Sequence, residues 1–227
     1  MFKKLFLLAV LAAFAFGTEA KVSLYELLST PNNKSLLKQI GRENILSSKA
    51  LEPGTQAMFF MSAKSKPELF YVLEFYKDEV AYKKHISSAH FKKFASASAE
   101  ILASKKAISV KKRAVFSKNL TPERLKDAYF HITNLSLKAK SDAKFEKLVK
   151  KYMQKSIDEG AYAQFAFSQK DAPSKWILVE IYKDEASFES YRHSENYKAY
   201  AKERAVLIDE FDGFALKNET SFSKIKF

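Results

Sequence analysis

The chain has no cysteine in its 227 residues. That absence removes disulfide bonds, thiolate nucleophiles, zinc–thiolate centres and iron–sulfur clusters together, and with them the cysteine a lipoprotein carries after its leader. No basic run, RNA-binding motif or zinc finger accompanies the net charge of +13, and the lysines are spread along the whole chain. The excess therefore reads as a solvated surface with weak attraction to anionic membranes or acidic partners, and no nucleic-acid partner is expected. A secretory leader is the reading of residues 1–20, where Lys3 and Lys4 precede an apolar run from Leu5 to Phe16 and Thr18-Glu19-Ala20 ends on a small residue. That run is too short to span a bilayer comfortably. The mature chain is expected to begin at Lys21, soluble and periplasmic or secreted.

What is present is a duplication. GTQAMFFMSAKSKPELFYVLEFYKDE from Gly54 and GAYAQFAFSQKDAPSKWILVEIYKDE from Gly160 are identical at 11 of 26 positions without a gap, against roughly two by chance. The 106-residue offset persists outward, pairing Tyr82 with Phe188, Ser88 with Ser194, Phe91 with Tyr197, and Phe116-Ser117-Lys118 with Phe222-Ser223-Lys224. Solenoid repeats run at about 20 to 50 residues, so this period means one domain used twice. The expected division is 21–117 and 127–227, joined by a linker over 118–126 that holds Asn119, Thr121 and Pro122.

Periodicity orders the elements of each copy. In the second, Phe145, Leu148, Val149, Tyr152, Met153 and Ile157 recur at helical spacing and predict a helix from Ser141 to Asp158, stopped by Gly160. β-rich runs over Ala161–Ser168 and Lys175–Tyr182 follow as a hairpin. Asp184 and Ser194 each open a helical stretch, and a strand over Gly213–Glu219 closes the copy. The first copy repeats this as a strand Val22–Leu28, a helix Asn33–Ala50, a hairpin Thr55–Lys64 and Glu68–Tyr76, a broken helix Asp78–Leu102 and a strand Ile108–Phe116. The result is α+β: two tandem ferredoxin-like βαββαβ domains. Phe70, Val72 and Tyr76 lie on one strand face and Tyr71, Leu73 and Phe75 on the other. Helices cover one face only, so the second copy is expected to cover the other, giving an intrachain pseudo-dimeric α/β barrel.

Glu74-Phe75-Tyr76-Lys77-Asp78-Glu79, with Ala81-Tyr82, His85, Ser88 and His90-Phe91, resembles the signature of antibiotic biosynthesis monooxygenase domains in the dimeric α/β-barrel superfamily. Glu180-Ile181-Tyr182-Lys183-Asp184-Glu185, Phe188, Ser194 and Tyr197 repeat it. The resemblance implies oxidation of a quinol-like or other electron-rich aromatic by O2 with no cofactor, neither metal nor flavin. A haem-degrading branch of the superfamily has its ligating histidine about ten residues past the His85 position, where this chain has Ala95 and Ala201, so haem is not expected.

On that resemblance His85 is the candidate base, and Tyr191 replaces it in the second copy, which points chemistry to the first. Glu74, shared with Glu180, is a carboxylate within an apolar strand and a candidate acid or base, with a structural role as the alternative. Tyr25, Phe59 and Tyr82 are candidate pocket walls for a small hydrophobic or aromatic molecule. His90, His131 and Trp176 are further substrate-contact candidates, each with a packing or helix-start role as the competing reading. His193 should be exposed. No metal is expected, because a site would need a third ligand at sensible geometry and His85 and His90 are not at the same-face i, i+4 spacing. A non-catalytic binding or stress-related protein on the same fold is the alternative to a monooxygenase.

Overall fold

The computed structural model describes residues 20–225, so apart from Ala20 the expected leader lies outside the described residues. The first copy runs β1 (Lys21–Ser29), α1 (Lys34–Leu51), β2 (Thr55–Ala63), β3 (Leu69–Tyr76), α2 (Glu79–Ser87), α3 (Ala89–Ile101), β4 (Leu102–Ile108) and β5 (Val110–Ser117). A short α4 (Pro122–Lys126) leads into β6 (Tyr129–Leu137), α5 (Asp142–Asp158), β7 (Ala163–Gln169), β8 (Lys175–Tyr182), α6 (Glu185–His193), α7 (Glu195–Ala205) and β9 (Ile208–Ser223).

Local chemistry sets these boundaries. Asp78 and Asp184 accept from the amides of Ala81 and Ser187 at 2.8 Å, so each Tyr-Lys-Asp-Glu segment ends a strand and caps a helix in one step. Ser88 and Ser194 cap α3 and α7 through the amides of Phe91 and Tyr197, both at 3.2 Å. The break expected inside residues 78–102 therefore falls at Ser88. After α5, Gly160 takes a φ of +120°, a backbone conformation that a Cβ would penalise.

Among the described residues nine strands form one antiparallel sheet in the order β4-β1-β3-β2-β9-β6-β8-β7-β5. Its two outer strands, β4 and β5, are consecutive in the chain and divided only at Ser109, so the sheet returns on itself as a barrel. β4 pairs with β1 of its own copy, and β5 pairs with β7 of the second. The long β9 does the reciprocal, pairing with β6 through residues 208–217 and with β2 of the first copy through 216–223. Each copy lends the end of its last strand to the other.

Two expected boundaries shift. The closing strands are longer than Ile108–Phe116 and Gly213–Glu219, because their outer halves are charged and exposed (Lys105 and Lys106; Asp209, Glu210 and Asp212) and carry no apolar alternation to betray them. The 118–126 linker is packed rather than slack, with Leu120 and Leu125 each 2% exposed against the barrel core.

Strand alternation divides the interior in two. Tyr71, Leu73 and Phe75 point into the barrel with Phe59, Phe130 and Phe165, where Phe165 lies 5.7 Å from Phe59 and 5.2 Å from Phe75, centroid to centroid. Rings from both copies thus share one core, each burial contributing about 1.5–3 kcal/mol. Phe60, Phe70 and Val72 face α1 and α3 in the first copy, and Trp176, Leu178 and Phe145 build the corresponding layer in the second.

Candidate functional site

Between sheet and helices of the second copy lies a cavity of about 180 Å³. His131 on β6 and Glu180 on β8 are cross-strand partners, and their side chains meet at 3.5 Å, Nδ1 to Oε2. Thr133 Oγ1 lies 3.4 Å from the same Nδ1. Phe188 stacks on the imidazole at 4.7 Å with the planes 27° apart. From α6 and α7 come Tyr191, Arg192, Tyr197, Tyr200 and Arg204. The two guanidiniums lie over aromatic faces: Arg192 over Phe188 and Tyr197, and Arg204 over Tyr197, Tyr200 and Phe211. The Tyr200 hydroxyl is buried without a hydrogen-bond partner among the described residues, and burial pushes its ionisation up. Burial, reinforced by the Glu180 carboxylate, does the same to Tyr191. The result is an aromatic slot with an imidazole–carboxylate pair at one wall and two cations at the other, suited to a planar ligand that acquires negative charge.

The corresponding space in the first copy is nearly filled, about 30 Å³ between Tyr25, Phe60, Glu74, Phe91 and Phe94. Tyr25 stands where the second copy has His131. Glu74 is 4% exposed and accepts from the Tyr76 hydroxyl at 2.8 Å. Burial pushes its carboxyl up, against the opposing pull of His85 and the Tyr76 hydrogen bond.

His85 lines neither cavity. It is 0% exposed at the end of α2, with Nδ1 3.1 Å from both carboxylate oxygens of Glu52 and 3.3 Å from Ser48 Oγ. His90, from the first turn of α3, places Nε2 2.7 Å from Glu52 and 3.2 Å from Ser48 Oγ. The helix break at Ser88 allows this: the two histidines sit on different helices, and Glu52, the residue that ends α1, supplies a third group. The third ligand that a metal site at this pair would need is thus close by, and same-helix spacing does not govern two histidines on different helices. Burial alone would raise the Glu52 carboxyl, but hydrogen bonds with His85 and Thr55 outweigh it and hold it down at about 2.

The remaining expected contacts scatter. Phe59 points into the barrel, on the opposite face of the sheet from either cavity, and walls neither; that placement is corrected by strand parity. Tyr82 packs edge-on against Tyr76 beneath the Lys21 ammonium, outside both cavities. Trp176 is 0% exposed, edge-on to Phe145, with its indole N–H donating to Asp142 at 3.1 Å, so it packs rather than walls the slot. Tyr25 and His131 do line their cavities, and His193 is exposed. Sequence reading did not single out Arg192, Arg204, Tyr200 or Glu52. Arg204 carried a signal, lying four residues after Tyr200 on the same helix face, whereas Glu52 sits in a helix-ending turn that periodicity does not reach.

A sheet closed by reciprocal strand exchange between two βαββαβ halves, with a ligand-sized cavity under one of them, defines a fused pseudo-dimer of α/β-barrel domains. The family described as antibiotic biosynthesis monooxygenase matches residues 35–97 and 128–203, together more than half of the chain, and the chain belongs to that family. Among solved structures it is similar to a provisionally named monooxygenase from Lactobacillus acidophilus, with TM-score 0.83 and 20% identity over 91% of this chain and 97% of that one. A provisionally named monooxygenase from Fusobacterium nucleatum gives TM-score 0.83 at 18% identity, covering 92% and 96%. An anthrone oxidase-like protein gives 0.65 at 14%, also covering 92% and 96%. At these identities the likeness is one of fold. No curated protein matches the chain in sequence.

Proposed function

We propose that the protein is an exported, cofactor-independent monooxygenase for a small electron-rich hydroxy-aromatic, working in the second-copy cavity. The observation that carries the reading is the convergence there of the His131–Glu180 pair, Arg192, Arg204 and the unpartnered Tyr200 hydroxyl within aromatic walls. His131 takes the phenolic proton, with Glu180 stabilising the imidazolium that forms. The two guanidiniums hold the resulting anion, and the walls exclude water. The anion supplies all the electrons: a quinol and O2 give a hydroxyquinone and water, one oxygen atom entering the ring and the other leaving as water. The family supports this class of chemistry, and the Lys3-Lys4 leader pattern supports export.

Size narrows the substrate. A cavity of about 150 Å³ holds a benzene ring, so 180 Å³ favours a single-ring hydroquinone over the two-ring menadiol.

Catalysis by His85 with Glu74 in the first copy is the second reading. In its favour, the buried Nε2 of His85 has no hydrogen-bond partner among the described residues. One experiment separates the two. Protein purified from the periplasm, with an N-terminus expected at Lys21, is given a substituted hydroquinone or menadiol while oxygen uptake above the autoxidation rate is followed. His131→Ala should lower kcat/KM about a hundredfold and His85→Ala should leave it within a few-fold. The reverse result moves the chemistry to the first copy. Ligand binding without oxygen uptake leaves a binding protein.

A further inference from the structure

We propose that Glu52, His85 and His90 form a binding site for one divalent transition-metal ion of the zinc type, joining the ends of α1, α2 and α3. His85 Nδ1, His90 Nε2 and a Glu52 carboxylate oxygen all lie within 4.8 Å of one another, with Glu52 2.7 Å from His90 and 3.1 Å from His85. Ser48 Oγ faces both imidazole nitrogens at 3.2 and 3.3 Å. Ligands held at about 2.0–2.1 Å around a tetrahedral ion are about 3.3 Å apart, so the contacts to Glu52 would open by a few tenths of an ångström, while the two imidazole nitrogens, within 4.8 Å of each other, would close by up to about 1.5 Å through side-chain rotation.

The chemistry is that of a borderline cation. Two imidazoles and one carboxylate suit zinc, and a fourth position is left for water or the serine hydroxyl. The outer contacts orient the carboxylate: Thr55 Oγ1 donates to Glu52 Oε2 at 2.5 Å. Lys224 donates to the backbone carbonyl of Glu52 at 2.7 Å, leaving both carboxylate oxygens to the histidines and Thr55. Access comes through an open groove lined by Glu52, Thr55, Lys84, Ser88 and His90.

The second copy provides an internal comparison. At the end of α5, Glu159 occupies the place Glu52 has after α1. There Asn196 donates to it, Lys155 bonds Asn196 at 2.9 Å, and Tyr191 stands for His85. The helices meet in the same way with a neutral amide, a phenol and an ammonium, a set that does not bind zinc. The two imidazoles are thus not required by the fold.

The test uses the full mature chain, stripped with a chelator and titrated with zinc sulfate by calorimetry and with cobalt(II) by visible absorption. One zinc per chain is expected at micromolar Kd or tighter, together with the intense visible bands of four-coordinate cobalt. Zinc in hundredfold excess over Kd should raise Tm by about 5 °C or more. His90→Ala and Glu52→Gln should weaken binding at least about tenfold and abolish the cobalt bands, while His193→Ala binds as the parent does. Two variants are used so that a folding failure of one leaves the other. Absence of stoichiometric zinc in the parent overturns the proposal, as does parent-like binding by either folded variant.

Discussion

Whether the second cavity is open turns on single atoms, and Gly213 shows how. A Cβ at this position would lie 2.8 Å from His131 Cε1 and 3.2 Å from Thr133 Oγ1, so the imidazole sits where only a glycine leaves room. In the first copy Tyr25 pairs with Ala107 as His131 pairs with Ala215, and the ladder position that matches Gly213 is held by Lys105, whose ammonium lies over the Tyr25 ring; the space beneath is nearly filled. Gly213→Ala is expected to push the His131 ring toward the cavity and cost about 1–3 kcal/mol of stability through overpacking. Thermal unfolding reads the cost, and titration with a phenolic ligand should show about tenfold weaker binding. An unchanged affinity would mean that the ring does not set the shape of the slot. At this scale the sequence was informative wherever the copies differ: the exchange of Tyr25 for His131 is visible by eye. It was silent on Arg192 and gave Arg204 only its place on the Tyr200 helix face, since an arginine on an amphipathic helix reads equally as solvated surface until the sheet beneath it is known.

Among the elements, β5 matters most, because it belongs to the first copy in sequence and to the second in pairing. Arg113 fixes it there. Its Nε donates to Ser168 Oγ on β7 at 2.8 Å, and its terminal nitrogens reach Glu146 at 2.7 Å and Asp142 at 3.1 Å on α5, while the guanidinium lies 5.1 Å from the Trp176 ring centroid. Arg113→Ala removes three polar contacts and a stacking contact, and a loss of about 1–3 kcal/mol is expected, less than for a fully buried pair because both carboxylates are partly solvated. The pH dependence gives a second readout. Burial raises the Glu146 carboxyl, but Lys150 and Arg113 outweigh it and hold it below its ordinary 4.5. A carboxyl lowered on folding stabilises above that ordinary value and loses the contribution as pH falls through its folded value. The Tm gap between parent and Arg113→Ala should therefore be widest near neutrality and narrow below about pH 4.5. A gap constant from pH 3 to 7 would reduce Arg113 to a packing residue. The exchange itself was not legible beforehand, because periodicity marks where a strand runs but not which strand it pairs with, and the charged stretch 102–107 carries no alternation.

At the scale of the molecule, the duplication and the two-faced apolar hairpins were enough to anticipate a barrel made by one chain acting as its own dimer. What that reasoning could not supply is how the halves are joined: a shared sheet held at two seams, β5 on β7 and β9 on β2, with rings of both copies in one interior. Neither half can unfold without opening a seam and exposing the barrel face of the other, so the two copies should melt together despite looking like separate domains. Trp176 makes this measurable. It is the sole tryptophan in the chain, fully buried in the second copy on the helix side of the sheet, so its fluorescence reports that copy alone, whereas far-UV circular dichroism reports both. The two signals should give one midpoint within error in urea, with an m-value about that of a 200-residue unit rather than a 100-residue one. Separated midpoints would show that the exchanged strands act as tethers between independent domains, and that a mutation in the first copy leaves the second-copy cavity untouched.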